Sequence, residues 1–227
     1  MEGRSPLFLT TRWTLLEKAG EPEGGEALDE LCRRYWGPVH AFFRRAGCRP
    51  ADAEDLTQDF FRDFMARDGF TQARKERGRF RNFLLGCVRN HFANQRKAAM
   101  RQKRGGGIEF VPVEEGLDAS AGLTPEEAFE KRWAEDVVDR ALLRLKREWE
   151  GKPFEVLAPY LSGDRGAPPM LETAERLGFS LAATKSAVHR LRRRLGDLVR
   201  SEVAASSREE DGVAEELEHL LRLLSRS

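Results

Sequence analysis

The sequence predicts an all-α protein built from two small helical domains. Apolar residues recur at three- and four-residue steps along nearly the whole chain, as one face of an amphipathic helix requires, and no strand-like alternation of any length appears. Glycine and proline interrupt this periodicity where helices are expected to end. The 227 residues, 40% of them hydrophobic, suffice for one sizeable core or two small ones.

The first predicted domain covers residues 27–106 and follows an N-terminal extension, 1–26, with a short helix. Its first helix has an apolar face made of Leu28, Leu31, Tyr35, Val39, Phe42 and Ala46. Pro50 begins a second helix, whose first turn is acidic where the helix dipole favours carboxylates, and Gly69 ends it. A third helix, about 79–104, has apolar residues on one side and bases along the other.

A change of composition separates the two domains. Residues 107–124 are rich in Glu, Gly, Asp, Ala and Ser with little periodicity, which predicts an acidic, flexible linker. Thr124 then provides an N-cap, with Glu127 at the capping-box position. The second domain, 125–204, is predicted to contain helices at about 125–150, 153–162, 170–178 and 181–203. Residues 205–227 are predicted to form an amphipathic tail helix.

The net charge of +1 hides two strongly basic segments. Between Gln72 and Arg104 eleven Lys or Arg residues accompany one acid, and between Lys185 and Arg200 six bases accompany one acid. Acidic stretches separate the two segments. Because phosphate neutralisation supplies most of the sequence-independent affinity for nucleic acids, this pattern indicates a protein that holds a polyanion at two places.

The second basic segment coincides with a helix-turn-helix pattern. Ala174 and Gly178 lie four residues apart, where this motif needs a small residue and then one that tolerates positive φ. In the next helix the inward stripe consists of Thr184, Val188, Leu191, Leu195 and Leu198. The outward face predicts a DNA-recognition surface, whose first residues reach base edges while its arginines meet phosphates. A solvated basic face on a structural helix is the alternative.

The motifs of the first domain are more specific. The segment DAEDLTQD at 52–59 resembles the second-helix motif of RNA polymerase sigma factors. The segment RGRFRNFLL at 77–85, followed by Arg89-Asn90, resembles the beginning of their promoter-reading helix, and the helix-turn-helix falls where their fourth region lies. From about Leu28 to Val203 the chain is therefore similar to the extracytoplasmic-function (ECF) type of the sigma-70 family of sigma factors.

The resemblance implies three contact surfaces, which would direct transcription initiation. Core RNA polymerase is expected to meet carboxylates and their neighbours on the second helix, namely Asp52, Asp55, Leu56, Gln58, Asp59 and Arg62. The −10 promoter element, as duplex and as melted strand, is expected to contact Arg81, Arg89, Asn90, Asn94, Arg96, Lys97, Arg101, Lys103 and Arg104. The −35 element is expected to contact Thr184, Lys185, Ser186, His189, Arg190, Arg192 and Arg193.

Within the third helix, Asn90 is the best candidate for reading a base, since an amide carries both a donor and an acceptor. Three aromatics are interleaved with the bases, at Phe80, Phe83 and Phe92. Their spacing places them mostly in the core, so stacking on a promoter base is the minor alternative.

Several functional classes lack support in the sequence. Cys32, Cys48 and Cys87 stand far apart, which predicts neither a disulfide framework nor a zinc site, and we expect no cofactor and no metal. We expect no catalytic residues, because a Gly-rich phosphate loop and a nucleophile elbow are both missing. No apolar run approaches the length of a membrane span, so a cytoplasmic protein is expected.

Other interpretations stay open. A stand-alone helix-turn-helix regulator would explain residues 170–200 but not the acidic second helix, and it usually requires a dimer. An RNA-binding helical protein would suit the basic third helix, although it would lack stacking platforms on strands. An anti-sigma factor or another regulator is a further candidate partner. The tail is expected either to pack on the second domain or to bind such a regulator.

Overall fold

The protein is helical throughout the part of the chain that is described. The computed structural model describes residues 25–67, 69, 72, 79–101, 122–162, 166–204 and 210–225. Its helices are α1 (Gly25–Arg45), α2 (Pro50–Ala66), α3 (Phe80–Arg101), α4 (Pro125–Glu148), α5 (Phe154–Leu157), α6 (Met170–Leu177), α7 (Leu181–Ala204) and α8 (Glu210–Leu224), with one 3-10 turn at Ala158–Tyr160. The all-α prediction is confirmed for these residues.

The chain divides into two compact units. The first comprises residues up to Asp136 together with those from Ala204 onward, and the second comprises Val137–Val203. The division falls inside α4, whereas the sequence placed the whole of this helix in a domain at 125–204. Helix α8 belongs to the first unit. Its His219 contacts Glu130 on α4, a residue that the sequence placed in the second domain, so packing of the tail on that domain stays a prediction. Most of the predicted linker and of the N-terminal extension lie outside the described residues.

The first unit has an aromatic core built from one face of each helix. Buried residues recur at three- and four-residue steps and include Leu31, Tyr35, Val39, Phe42, Phe43, Leu56, Phe60, Phe61, Phe64, Phe80, Leu84, Val88, Phe129, Trp133 and Leu220. Tyr35 on α1 meets Phe80 on α3 edge to face, with 5.0 Å between ring centroids. The helical periodicity of the sequence is thus the pattern that selects the core.

Local chemistry sets the beginnings of α2 and α4 as predicted, whereas α2 ends at Ala66, before Gly69, the residue that was predicted to end it. Pro50 is the first residue of α2. At the beginning of α4 the Thr124 backbone N–H donates to the Glu127 carboxylate at 2.8 Å, and the Glu127 N–H donates to Thr124 Oγ1 at 3.1 Å. This reciprocal pair is the predicted capping box, which satisfies two backbone donors that the helix leaves without a partner.

An ion cluster ties three distant segments of the first unit together. Arg81, near the beginning of α3, forms ion pairs with Glu130 on α4 and with Glu216 on α8, the latter at 3.1 Å. Its guanidinium lies 4.6 Å from the Trp133 ring centroid. Glu130 also accepts a 2.8 Å contact from His219 on α8. Because the side chains of Arg81 and Glu216 are only 3% and 1% exposed, each charge must be balanced by partners within the cluster.

The second unit packs α4, α5, α6 and α7 around a core of aliphatic residues and one tyrosine. This core contains Ala141, Leu145, Leu157, Tyr160, Ala187, Val188, Leu191 and Leu198. The buried Tyr160 hydroxyl donates to the Pro168 carbonyl and pairs with Thr173 Oγ1, both at 2.7 Å. The hydroxyl therefore leaves no donor unsatisfied.

The turn between α6 and α7 has the conformation that the sequence predicted. Gly178 adopts a left-handed conformation, with φ of 64° and ψ of 27°. The N–H of Phe179 then donates to the Ala174 carbonyl at 3.0 Å, and the Ser180 hydroxyl accepts from the Ala183 N–H at 3.2 Å. One glycine thus ends α6, and one serine two residues later caps α7.

None of the helices in the described ranges is long and apolar enough to span a membrane.

Removing the central cation of the ion cluster should destabilise the protein strongly. Arg81→Met leaves buried carboxylates short of a partner, which is expected to lower the free energy of unfolding by about 3–5 kcal/mol. The matched control is Arg33→Met, since Arg33 is 71% exposed and lies 3.8 Å from Glu30. It should change stability by less than about 0.5 kcal/mol. Urea unfolding followed by circular dichroism measures both, and equal effects would refute an anchoring role for Arg81.

Candidate nucleic-acid and polymerase interfaces

Helix α2 presents an acidic face to solvent. Asp55 and Gln58 are exposed, and Asp52 and Asp59 are half-buried on the same side of the helix. Arg62 donates to Asp59 at 2.6 Å, and both lie at the surface. This face is predominantly negative, so it would repel DNA phosphate and attract a basic protein surface.

One residue predicted for this face lies in the core instead. Leu56 is 2% exposed and stands between the buried Ala53 and Phe60 along the same helix. The prediction that Leu56 contacts the polymerase is corrected, because an apolar side chain at this register points inward. Leu56 belongs to the core side of α2, opposite the acidic face.

The outward face of α3 combines bases with amides. Arg89, Asn90, Asn94, Arg96 and Lys97 are all exposed, as their predicted role requires. Arg89 also forms an ion pair at 3.2 Å with Glu126, from the first turn of α4. Donors for phosphate and amides for base edges therefore share one face of a single helix.

Of the other residues predicted for this face, Arg81 is buried, and the side chains of the remaining three are not described. Arg81 is corrected, because its side chain is buried against Glu130 and Glu216 and is not available to phosphate in this structure. Arg101 is the last residue of α3, and nothing is described of its side chain. Lys103 and Arg104 lie outside the described residues.

The aromatics of α3 serve the core, as their spacing indicated. Phe80 is 4% exposed. Phe83 meets the Phe64 ring at 6.3 Å, and Phe92 meets the Phe42 ring at 5.9 Å between centroids. These contacts bind α3 to α1 and α2 and thereby fix the direction of its outward face.

A cavity of about 400 Å³ opens between the end of α2 and the middle of α3. Asn90, His91 and Asn94 line it from α3, and Asp63, Phe64 and Arg67 line it from the end of α2. Amides and an imidazole offer donors and acceptors, while Phe64 supplies an apolar wall. Such a cavity can hold a planar polar group of the size of an unstacked nucleobase.

His91 is one of the cavity residues that the sequence did not single out for binding. Its side chain is 10% exposed, its Nδ1 lies 3.6 Å from Asp63 Oδ2, and its ring packs edge to face on Phe60. Within the described residues, its buried Nε2 has no hydrogen-bond partner. Burial lowers the pKa of His91, although Asp63 and Asp59 act in the opposite direction. The periodicity marked this position as core and gave no sign of a cavity beside it.

In the second unit, six of the seven residues predicted to contact the −35 element are exposed on α7. Lys185, Ser186, His189, Arg190 and Arg193 are exposed on its outward face. Arg192 is also exposed, and its Nε donates to the Tyr160 carbonyl at 2.8 Å. This basic face, following a tight turn, has the layout that places a helix in a major groove.

Thr184 does not belong to that surface. It is fully buried, and its hydroxyl donates to the Ser180 carbonyl one turn earlier at 3.1 Å. Its predicted contact with the −35 element is corrected. Because the Thr184 hydroxyl donates to this backbone carbonyl, a threonine can occupy an inward position, where an apolar residue would be expected, without leaving a buried donor unpaired.

No family model, curated protein or solved structure matches this chain.

Among the described residues, no group of three or more His, Cys, Asp or Glu side chains is placed to hold a metal ion.

The buried imidazole of His91 should make stability depend on pH. Because burial lowers its pKa in the folded state, the unfolded chain binds the proton more readily, and stability falls as pH drops below the ordinary value of 6.5. His91→Gln should therefore lose less stability than the unmodified protein between about pH 7.5 and about pH 5.5. His189→Gln, at an exposed site, is the control and should keep the full loss. Thermal unfolding at the two pH values measures this, and identical losses in both variants would contradict it.

Proposed function

We propose that this chain is a sigma factor of the extracytoplasmic-function type, which binds core RNA polymerase and directs it to promoters. The observation that carries the proposal is the cavity between α2 and α3, bordered by amides and by the basic face of α3. Binding to closed duplex does not call for a base-sized cavity. A factor that captures an unstacked base of a melted promoter requires one.

The surfaces of the first unit support complementary roles. The acidic face of α2, centred on Asp55 and Asp59, suits a basic surface of the polymerase. On α3, Arg89, Arg96 and Lys97 suit phosphates of the −10 element, and Asn90 at the rim of the cavity suits the edge of a captured base. Binding and base capture would thus use two neighbouring helices that one aromatic core holds in place.

The second unit supports recognition of the −35 element by α7. Lys185 and Ser186 stand in its first turns, where residues of a recognition helix reach base edges, and Arg190 and Arg193 follow on the same face. In this mechanism the chain makes and breaks no covalent bond. It positions the polymerase, which performs the chemistry.

The second candidate function is a stand-alone helix-turn-helix regulator. The exposed basic face of α7 favours it by itself, because this face would serve duplex binding with or without a polymerase. The two functions differ in whether the acidic face of α2 binds the polymerase.

Reversal of charge on α2 should abolish binding to the polymerase. The unmodified protein is expected to co-elute with bacterial core RNA polymerase on gel filtration, and Asp55→Arg should weaken this association by at least about tenfold. The matched control is Asp139→Arg, which reverses an exposed charge on α4 within the second unit and should co-elute normally. If the unmodified protein fails to co-elute, the stand-alone regulator becomes the better proposal.

Truncation of one arginine on α7 should weaken promoter binding selectively. A duplex is first selected from a random pool with the polymerase complex. Arg190→Ala should then weaken binding to it by about 1–3 kcal/mol, the value of a good arginine–guanine contact, and should relax selectivity at one position. Arg200→Ala, an exposed arginine near the end of α7, is the control and should weaken binding less. Equal effects of the two changes would assign α7 a general electrostatic role only.

A further inference from the structure

The C-terminal helix brings carboxylates to the beginning of the basic helix α3. Helix α8 carries five acidic side chains and one arginine between Glu210 and Leu224. Two of the acids converge on a single cation, since Arg79 Nη2 lies 2.7 Å from Glu215 Oε2 and Arg79 Nε lies 3.0 Å from Glu216 Oε1. Arg79 immediately precedes α3, and its carbonyl accepts the first backbone bonds of that helix.

Arg79 differs from Arg81 in what surrounds it. Arg81 is enclosed by Glu130, Glu216 and Trp133, so it is a structural cation. Arg79 retains 25% of its side-chain exposure, and Glu215 on its outer side is 76% exposed. The Arg79 side chain is therefore partly exposed, just before the beginning of the same helix that carries the phosphate-binding candidates Arg89 and Arg96.

We propose that α8 is an acidic clasp that competes with nucleic-acid phosphate for Arg79. A guanidinium binds a phosphate best with two parallel N–H donors, and Nε and Nη2, one of the two donor pairs that can do so, are already held by Glu216 and Glu215. The two carboxylates and a phosphate cannot use this donor pair together. In addition, the exposed acids of α8 repel phosphates that approach within the Debye length, about 8–10 Å at moderate salt.

The anchoring of α8 explains why its acids reach Arg79 in a defined register. Glu216 is fixed by Arg81, and Leu220, one turn later, is 2% exposed in the core of the first unit. Glu215 is thereby directed to the outer side of Arg79. A phosphate can then bind Arg79 only after α8 releases at least the Glu215 contact. The apparent affinity of the protein for DNA is therefore its intrinsic affinity multiplied by the fraction of molecules in which this contact is broken.

The clasp rests on the proposed function in one respect, namely that the beginning of α3 faces DNA. The binding of a fluorescein-labelled DNA oligonucleotide of mixed sequence to the full-length protein, measured by anisotropy, tests it. Glu215→Gln should tighten binding about two- to fivefold more than Glu218→Gln, a factor typical of one exposed ion pair. Both changes remove one negative charge from exposed positions of α8, so the general electrostatic effect cancels.

A double-mutant cycle assigns the effect to Arg79. In an Arg79→Gln background, Glu215→Gln should tighten binding no more than Glu218→Gln does, because the contested guanidinium is gone. The clasp is overturned if the two single changes act alike, if the extra gain survives without Arg79, or if no variant binds the oligonucleotide. Circular dichroism of each variant establishes that the fold is kept. Co-elution with core polymerase decides the proposed function separately, since it depends on α2.

Discussion

The first unit depends on the requirement that a buried charge must have a partner. Glu216 and Arg81 are both almost completely enclosed, and an isolated charge at either position would cost several kcal/mol in desolvation. Their pairing, with Glu130 as a third member, joins α3, α4 and α8, although these helices are separated by dozens of residues along the chain. The ion cluster adds a polar constraint on the register of α8 to the one set by its buried apolar residues.

The helices themselves were predictable because their determinants are local. The spacing of apolar residues, the pairing of Thr124 with Glu127 and the left-handed Gly178 each act within a few residues, and each is found as the sequence indicated. Leu56 and Thr184 were assigned binding roles because they lie within motifs, although the helical periodicity had already placed both residues on the inward side. In both cases burial, and not the motif, describes the residue correctly.

Whether each arginine is buried or exposed was not predictable, since this depends on partners that lie far away in the chain. Arg81 and Arg89 look alike in the sequence, yet one is buried against carboxylates of two other helices and the other is exposed beside Glu126. The same holds for His91, whose cavity exists only once α2 and α3 are packed. The second unit shows a similar division, because Arg140 and Arg144 pair with the buried Glu202 while Arg190 stays at the surface. A count of basic residues therefore overstates the surface that is available to nucleic acid.

The turn before α7 separates the residues that build the second unit from those that face outward. Backbone bonds, Gly178 and the Ser180 hydroxyl complete the turn, and the core lies on the inward stripe of α7. Lys185, Ser186 and Arg190 lie on the opposite side, where substitutions usually change stability by less than about 0.5 kcal/mol. These positions are therefore open to evolutionary change. Duplicated copies of such a gene could diverge in what this face binds while inheriting an unaltered scaffold.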